Sequence, residues 1–155
     1  MSADGGDAPA PGHAKVTGGV QSKMAPLILV ADDDPDIRRV LRGLLEPFAE
    51  IVEAADGAQA LERLRSVKPR LLLLDVVMPE LSGIAVLQAA RELIPSLPVL
   101  MLTGESDLAM AQLALESGAL AYITKPFEPE RLLDEVRRLL DPSAPPSSRP
   151  WRVRL

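Results

Sequence analysis

Leu27-Ile28-Leu29-Val30-Ala31-Asp32-Asp33-Asp34-Pro35 is the stretch that decides the fold. Five apolar residues stopped by three acids and a proline have the pattern of a strand buried on both faces that reaches the rim of a parallel sheet. A helix is expected next. Asp34 can cap it, Pro35 suits its first position, and Ile37, Val40, Leu41, Leu44 and Leu45 recur at helical spacing before Pro47 ends it.

The same unit repeats along the chain. Ile51 to Ala54 reads as a short strand and Gly57 to Arg65 as a helix with Ala60, Leu61 and Leu64 inward, broken by Pro69. Leu71-Leu72-Leu73-Leu74 is ambiguous by propensity, since leucine favours helices. Its shortness and its flanks, Pro69 on one side and Asp75 and Pro79 on the other, favour a buried strand. A helix through Ile84, Leu87, Ala90 and Arg91 leads to the strand Val99 to Leu102, and a helix from about Asp107 to Ser117 stops near Gly118. Ala121 to Thr124 is the last strand. Glu130 to Leu140 is the last helix, with Leu132, Leu133, Val136 and Leu139 inward. Strict strand-helix alternation with apolar strands implies an α/β fold, a doubly wound five-stranded parallel sheet covered by helices on both faces.

Composition bounds the function. A chain of 155 residues, 47% hydrophobic and 25% charged, builds one ordinary core. The expected organisation is a disordered leader over residues 1–24, one domain over 25–141, and a Pro/Ser-rich tail over 142–155 with a basic end carrying Trp151, Arg152 and Arg154. The absence of cysteine excludes disulfides and thiolate metal sites, and the one histidine, His13, has no candidate ligand near it in sequence. A net charge of −5 argues against direct nucleic-acid binding. No apolar run approaches the roughly 20 residues of a membrane span, and Met1 to Lys23 lacks the basic start and apolar stretch of a secretory signal. The expectation is a cytoplasmic protein without membrane insertion.

Ligands of an open parallel sheet bind outside the carboxyl ends of its strands. Those ends carry Asp32, Asp33 and Asp34, then Asp75, then Thr103, then Lys125. Carboxylates gathered at one edge repel one another unless a cation sits among them, and an all-oxygen set without His or Cys suits a hard ion, Mg²⁺ being the natural choice. An aspartate carboxylate can attack phosphorus to form an aspartyl phosphate. The charge that spreads over the phosphoryl oxygens in that reaction needs fixed positive and hydrogen-bonding partners, which the cation, the Lys125 ammonium and the Thr103 hydroxyl would supply.

Val30-Ala31-Asp32-Asp33-Asp34-Pro35-Asp36-Ile37-Arg38-Arg39, Leu71 to Gly83 (LLLLDVVMPELSG), Met101 to Ser106 (MLTGES) and Ala121 to Phe127 (AYITKPF) together resemble the ordered signatures of response-regulator receiver domains of two-component signalling, over about residues 26–140. The resemblance implies a flavodoxin-like (β/α)5 sheet of strand order 2-1-3-4-5. It implies Asp75 as the phosphoacceptor, Asp32 and Asp33 with Asp75 and the Val77 backbone carbonyl as Mg²⁺ ligands, Thr103 as switch hydroxyl, Tyr122 as switch aromatic and Lys125 as phosphate contact. A cis peptide between Lys125 and Pro126 is also implied. The implied partners are a histidine kinase or a histidine phosphotransfer protein, met by the first helix with Arg38, Arg39 and Arg42 outward. A downstream protein target would be met by the surface of the fourth helix, fifth strand and fifth helix. A monomer or a phosphorylation-dependent dimer is expected, of the stand-alone type.

Taken singly, each motif has a plainer reading: the acidic run as a solvated cap, Thr103-Gly104 and Lys125-Pro126 as ordinary turns, Tyr122 as packing, Met78 as core. Their coincidence at four strand ends in one order carries the argument. Two rival functions stand beside the phosphorylated switch. One is a Mg²⁺-dependent phosphohydrolase with Asp75 as nucleophile, which lacks an obvious second carboxylate as general acid. The other is a docking module indifferent to Asp75. Val77 and Glu105 flank the expected path of hydrolytic water, and an apolar Val77 is expected to slow loss of phosphate.

Overall fold

The computed structural model describes residues 25–104 and 108–141. Its elements alternate as β1 (Leu27–Ala31), α1 (Pro35–Leu45), β2 (Glu50–Ala54), α2 (Gly57–Val67), β3 (Leu71–Asp75), α3 (Gly83–Leu93), β4 (Val99–Gly104), α4 (Leu108–Glu116), β5 (Ala121–Lys125) and α5 (Pro129–Leu140). All strand pairs are parallel, in the order β2-β1-β3-β4-β5. The expected leader and tail, and Glu105, lie outside the described residues.

The ambiguous leucine run is β3, buried along its whole length at the middle of the sheet. Tertiary context overrides leucine's helix propensity there, because both faces of a central parallel strand are covered and every side chain finds a core. Alternation along the strands divides that core in two. Leu29, Ala31, Leu72, Leu74, Val99, Met101 and Tyr122 pack under α2, α3 and α4. Ile28, Val30, Leu71, Leu73, Leu100, Leu102, Ala121 and Ile123 pack under α1 and α5. Each fully buried leucine contributes about 1.5–3 kcal/mol over its exposed state.

Local chemistry sets the helix starts. The Asp34 side chain accepts from the Asp36 amide ahead of α1, Asp56 accepts from the Gln59 amide ahead of α2, and Ser82 accepts from the Ala85 amide ahead of α3. Gly118, after α4, has φ +113°, the left-handed backbone that a helix stop requires. The Lys125–Pro126 peptide is cis.

Two expectations for α1 need correction. Val40 is 48% exposed rather than core-facing, because Leu41 and Leu45 already fill the buried stripe and Val40 falls outside it. Arg38 and Arg42 do not point away from the protein. Both reach across to Glu53 on β2, at 2.9 and 2.6 Å, and leave Arg39 as the solvent-facing arginine of the three.

Candidate phosphoryl-transfer and metal site

Strand alternation explains why the predicted residues meet. Continuing β1 past Val30 puts Asp32 on the α1/α5 side of the sheet, continuing β3 past Leu73 puts Asp75 there, and continuing β5 past Ile123 puts Lys125 there. Ala31 is in register with Leu74, so Asp32 and Asp75 leave adjacent strands side by side. The Lys125 ammonium then lies 3.1 Å from Asp32 Oδ2 and 3.5 Å from Asp75 Oδ1.

Asp32 is fully buried, Asp75 is 4% exposed, and Asp33 stands open to solvent. One carboxylate oxygen from each of the three lies within 4.8 Å of the others, a spacing and an all-oxygen chemistry that fit one hard divalent cation. Two backbone amides tie the acids in place, with Asp34 N donating to Asp32 Oδ1 at 2.9 Å and Val77 N donating to Asp75 Oδ1 at 3.2 Å. Burial, reinforced by the neighbouring Asp32 charge, pushes the Asp75 carboxyl up to about 7 against the ordinary 3.8, although Lys125 and the Val77 amide pull the other way. Burial by itself would lower the Lys125 ammonium, but the Asp32 and Asp75 carboxylates outweigh it and raise its pKa.

Thr103 and Tyr122 occupy the other face. Thr103 follows Val99 and Met101 in alternation, and Met101 is the register partner of Tyr122. Both side chains therefore stand on the α4 side, next to each other's strands. The Thr103 hydroxyl is buried and donates to the Gly104 carbonyl at 3.0 Å. The Tyr122 ring is already packed in the core with Met101, Ala111 and Ala114. Val77 is 58% exposed beside Asp75.

Two supports of the site escaped sequence reading. Gly83 opens α3 against the carboxyl end of β3, where a Cβ would come within 2.0 Å of the Asp75 carbonyl oxygen. Gly57 opens α2 against Leu81, whose carbonyl oxygen a Cβ would approach to 2.6 Å. The β3–α3 loop that carries Val77 is thus held between two helix starts that have no room for a side chain. The Arg38–Glu53 ion pair was legible only as a charged helix face, although Glu53 inside a short strand was a usable signal for a partner reaching across to it.

Residues 28–137 match the response regulator receiver domain family. The chain is 43% identical over 114 residues to a probable transcriptional regulator, ycf27, of Cyanophora paradoxa, and 42% identical over 115 residues to the DNA-binding response regulator MtrA of Mycolicibacterium smegmatis. Each alignment covers 73% of this chain but 47% and 50% of the relative, so the chain spans about half the length of these relatives. Among solved structures, the receiver domain of NtrX from Brucella abortus superposes with a TM-score of 0.72 at 36% identity, over 75% of this chain and 99% of that one. A CheY-like receiver domain protein from Methanospirillum hungatei superposes equally well at 32% identity, over 76% and 94%.

The fold and the acidic rim define a phosphoacceptor class, and the chain belongs to the response-regulator receiver-domain family. Its acidic triad, Asp32, Asp33 and Asp75, is clustered as phosphorylation in a two-component signalling switch requires. Receiver-domain architecture is typical of phosphoacceptor proteins rather than of enzymes that turn over an external substrate. Among the described residues, no helix is long and apolar enough to cross a membrane.

Proposed function

We propose that Asp75 accepts a phosphoryl group from a phosphohistidine of a kinase or phosphotransfer protein. The Asp75 carboxylate oxygen attacks phosphorus, the P–N bond breaks, and the imidazole leaves with the electron pair. The observation that carries this reading is the buried Asp75 carboxylate at the end of the central strand, beside Asp32 and bridged to it by the Lys125 ammonium. Mg²⁺ held by Asp32, Asp33, Asp75 and the Val77 carbonyl would supply positive charge for the phosphoryl oxygens.

Lys125, now paired with both acids, is placed to turn its ammonium onto a phosphoryl oxygen once Asp75 is esterified. The Thr103 hydroxyl exchanges the Gly104 carbonyl for another phosphoryl oxygen, since a charged acceptor makes the stronger hydrogen bond. Tyr122 follows through the shared face, and the surface of α4, β5 and α5 changes with it. Similarity to part of hybrid signal transduction histidine kinase D of Dictyostelium discoideum, 32% identity over 117 residues and 8% of that protein, favours a histidine-kinase or phosphotransfer donor. The remaining parts of the proposal are a domain over residues 25–141, a cytoplasmic location, and output through a protein target, as a monomer or phosphorylation-dependent dimer.

Intact-protein mass spectrometry after incubation with Mg²⁺ and acetyl phosphate tests the reading, with Asp75→Ala as control. One labile phosphoryl adduct on the parent alone is expected. A folded, Mg²⁺-binding parent without an adduct would favour the docking module, and repeated release of phosphate from an ester would favour the hydrolase.

A further inference from the structure

Arg38 makes contacts that a solvated helix face does not need. Its Nη1 donates to the Asp32 backbone carbonyl at 2.7 Å, while its Nε donates to Glu53 Oε1 at 2.9 Å. The other Glu53 oxygen accepts from Arg42 Nε at 2.6 Å, and Arg63 Nε donates to the Glu53 carbonyl at 3.2 Å. Hydrogen bonding from Arg42 and Arg38 outweighs burial and holds the Glu53 carboxyl below the usual glutamate range, so it stays ionised as their anchor.

The Asp32 carbonyl belongs to the peptide that joins Asp32 to Asp33. Holding that oxygen restrains the peptide plane and with it the positions of the Asp33 N and Cα, the point from which the Asp33 side chain leaves the backbone. Asp32 has other restraints, being buried and bonded to the Asp34 amide and Lys125. Asp33 is exposed, so packing does not hold it, and its carboxylate nonetheless lies within reach of Asp32 and Asp75.

We infer that Arg38, anchored by Glu53, is a positioning residue for the acidic pair: it orients the Asp32–Asp33 peptide so that the Asp33 carboxylate joins Asp32 and Asp75 around a divalent cation. The inference rests on the metal reading proposed above and adds to it a part that lies on α1 and β2. A guanidinium suits the task because its planar fork bonds the carboxylate and the carbonyl at once, which an ammonium cannot do with the same geometry.

Charge and position predict opposite signs, and the sign is diagnostic. Removing a cation near a cation site should tighten Mg²⁺ binding by Coulomb's law alone. Loss of orientation should weaken it, by about 10-fold to 100-fold as for partners that orient metal ligands elsewhere.

The test is Mg²⁺ affinity of the full 155-residue chain, followed by amide chemical shifts or titration calorimetry, in the parent, Arg38→Gln, Arg38→Lys and Glu53→Gln, with thermal melts alongside. Weakening by about 10-fold or more is expected for Arg38→Gln, a smaller loss for Arg38→Lys, and a loss in the same direction for Glu53→Gln, which releases the anchor. Should Arg38→Gln fail to fold, Arg38→Lys decides because it keeps the charge and changes only the geometry; Glu53→Gln removes an anion and weakens Mg²⁺ binding by Coulomb's law alone, so its loss supports the anchor only beside a loss in Arg38→Lys. Folded variants that bind Mg²⁺ as tightly as the parent, or more tightly, overturn the positioning role while leaving the metal reading intact. A parent that does not bind Mg²⁺ overturns the metal reading and this inference with it.

Discussion

Gly83→Ala should damage both the fold and the site, although helix propensity alone argues for the opposite. Alanine in place of glycine at the start of α3 would gain up to about 1 kcal/mol in an unstrained helix. The added methyl carbon, however, would sit 2.0 Å from the Asp75 carbonyl oxygen and 2.8 Å from Val76 Cα. Ordinary carbon–oxygen contact needs more than 3 Å, so the helix start must back away by about 1 Å from atoms that are backbone and cannot rotate aside. Overpacking of that kind costs about 1–3 kcal/mol, and the move stretches the hydrogen bond from the Gly83 amide to the Val76 carbonyl, now 2.9 Å, worth about 0.5–1.5 kcal/mol. The net expectation is a loss of about 1–3 kcal/mol, read by urea or thermal denaturation. Because the displaced loop carries the Val77 carbonyl and the amide that holds Asp75, slower phosphorylation by acetyl phosphate should accompany it. A Gly83→Ala protein as stable as the parent and phosphorylated at the same rate would refute the reasoning.

Asp75→Asn should stabilise the metal-free protein, and by an amount that depends on pH. With its folded pKa raised to about 7 from 3.8, Asp75 favours folding in its protonated form. That stability is fully present below about pH 4 and lost as pH rises toward 7, up to about 4 kcal/mol for a shift of this size. In EDTA, the variant's advantage in urea unfolding should therefore grow across that window and level off above pH 7, and an advantage constant from pH 4 to 8 would contradict it. Val77→Asn should shorten the lifetime of the phosphorylated form, since an amide beside Asp75 can orient the attacking water that an exposed apolar side chain cannot. Decay followed by intact mass checks this, and decay no faster than the parent's counts against it.

Much of the site was legible in sequence because the alternating topology dictates where strand ends fall. Once Leu27–Ala31, Leu71–Asp75 and Ala121–Lys125 are parallel strands of one sheet, the polar residues that end them must share one rim, whatever lies between. Once the register of the strands is known, the period of two puts Asp32, Asp75 and Lys125 on one side of the sheet and Thr103 on the other. Helical periodicity was less decisive. Ile37, Val40, Leu41, Leu44 and Leu45 describe an apolar arc wider than the stripe that α1 buries, and Val40 fell outside it.

The succession of strands, helices and polar strand ends along the chain was determined by the sequence itself, because burial pattern, caps and turn residues act over a few neighbours and can be read locally. Tertiary structure decided the rest: the inward turn of Arg38 and Arg42 onto Glu53, the absence of room for a side chain at Gly83 and Gly57, and the shift of the Asp75 carboxyl toward neutrality. Each of these depends on through-space distances of a few ångströms between residues far apart in the chain, where sterics and desolvated charge take effect and no local pattern records them.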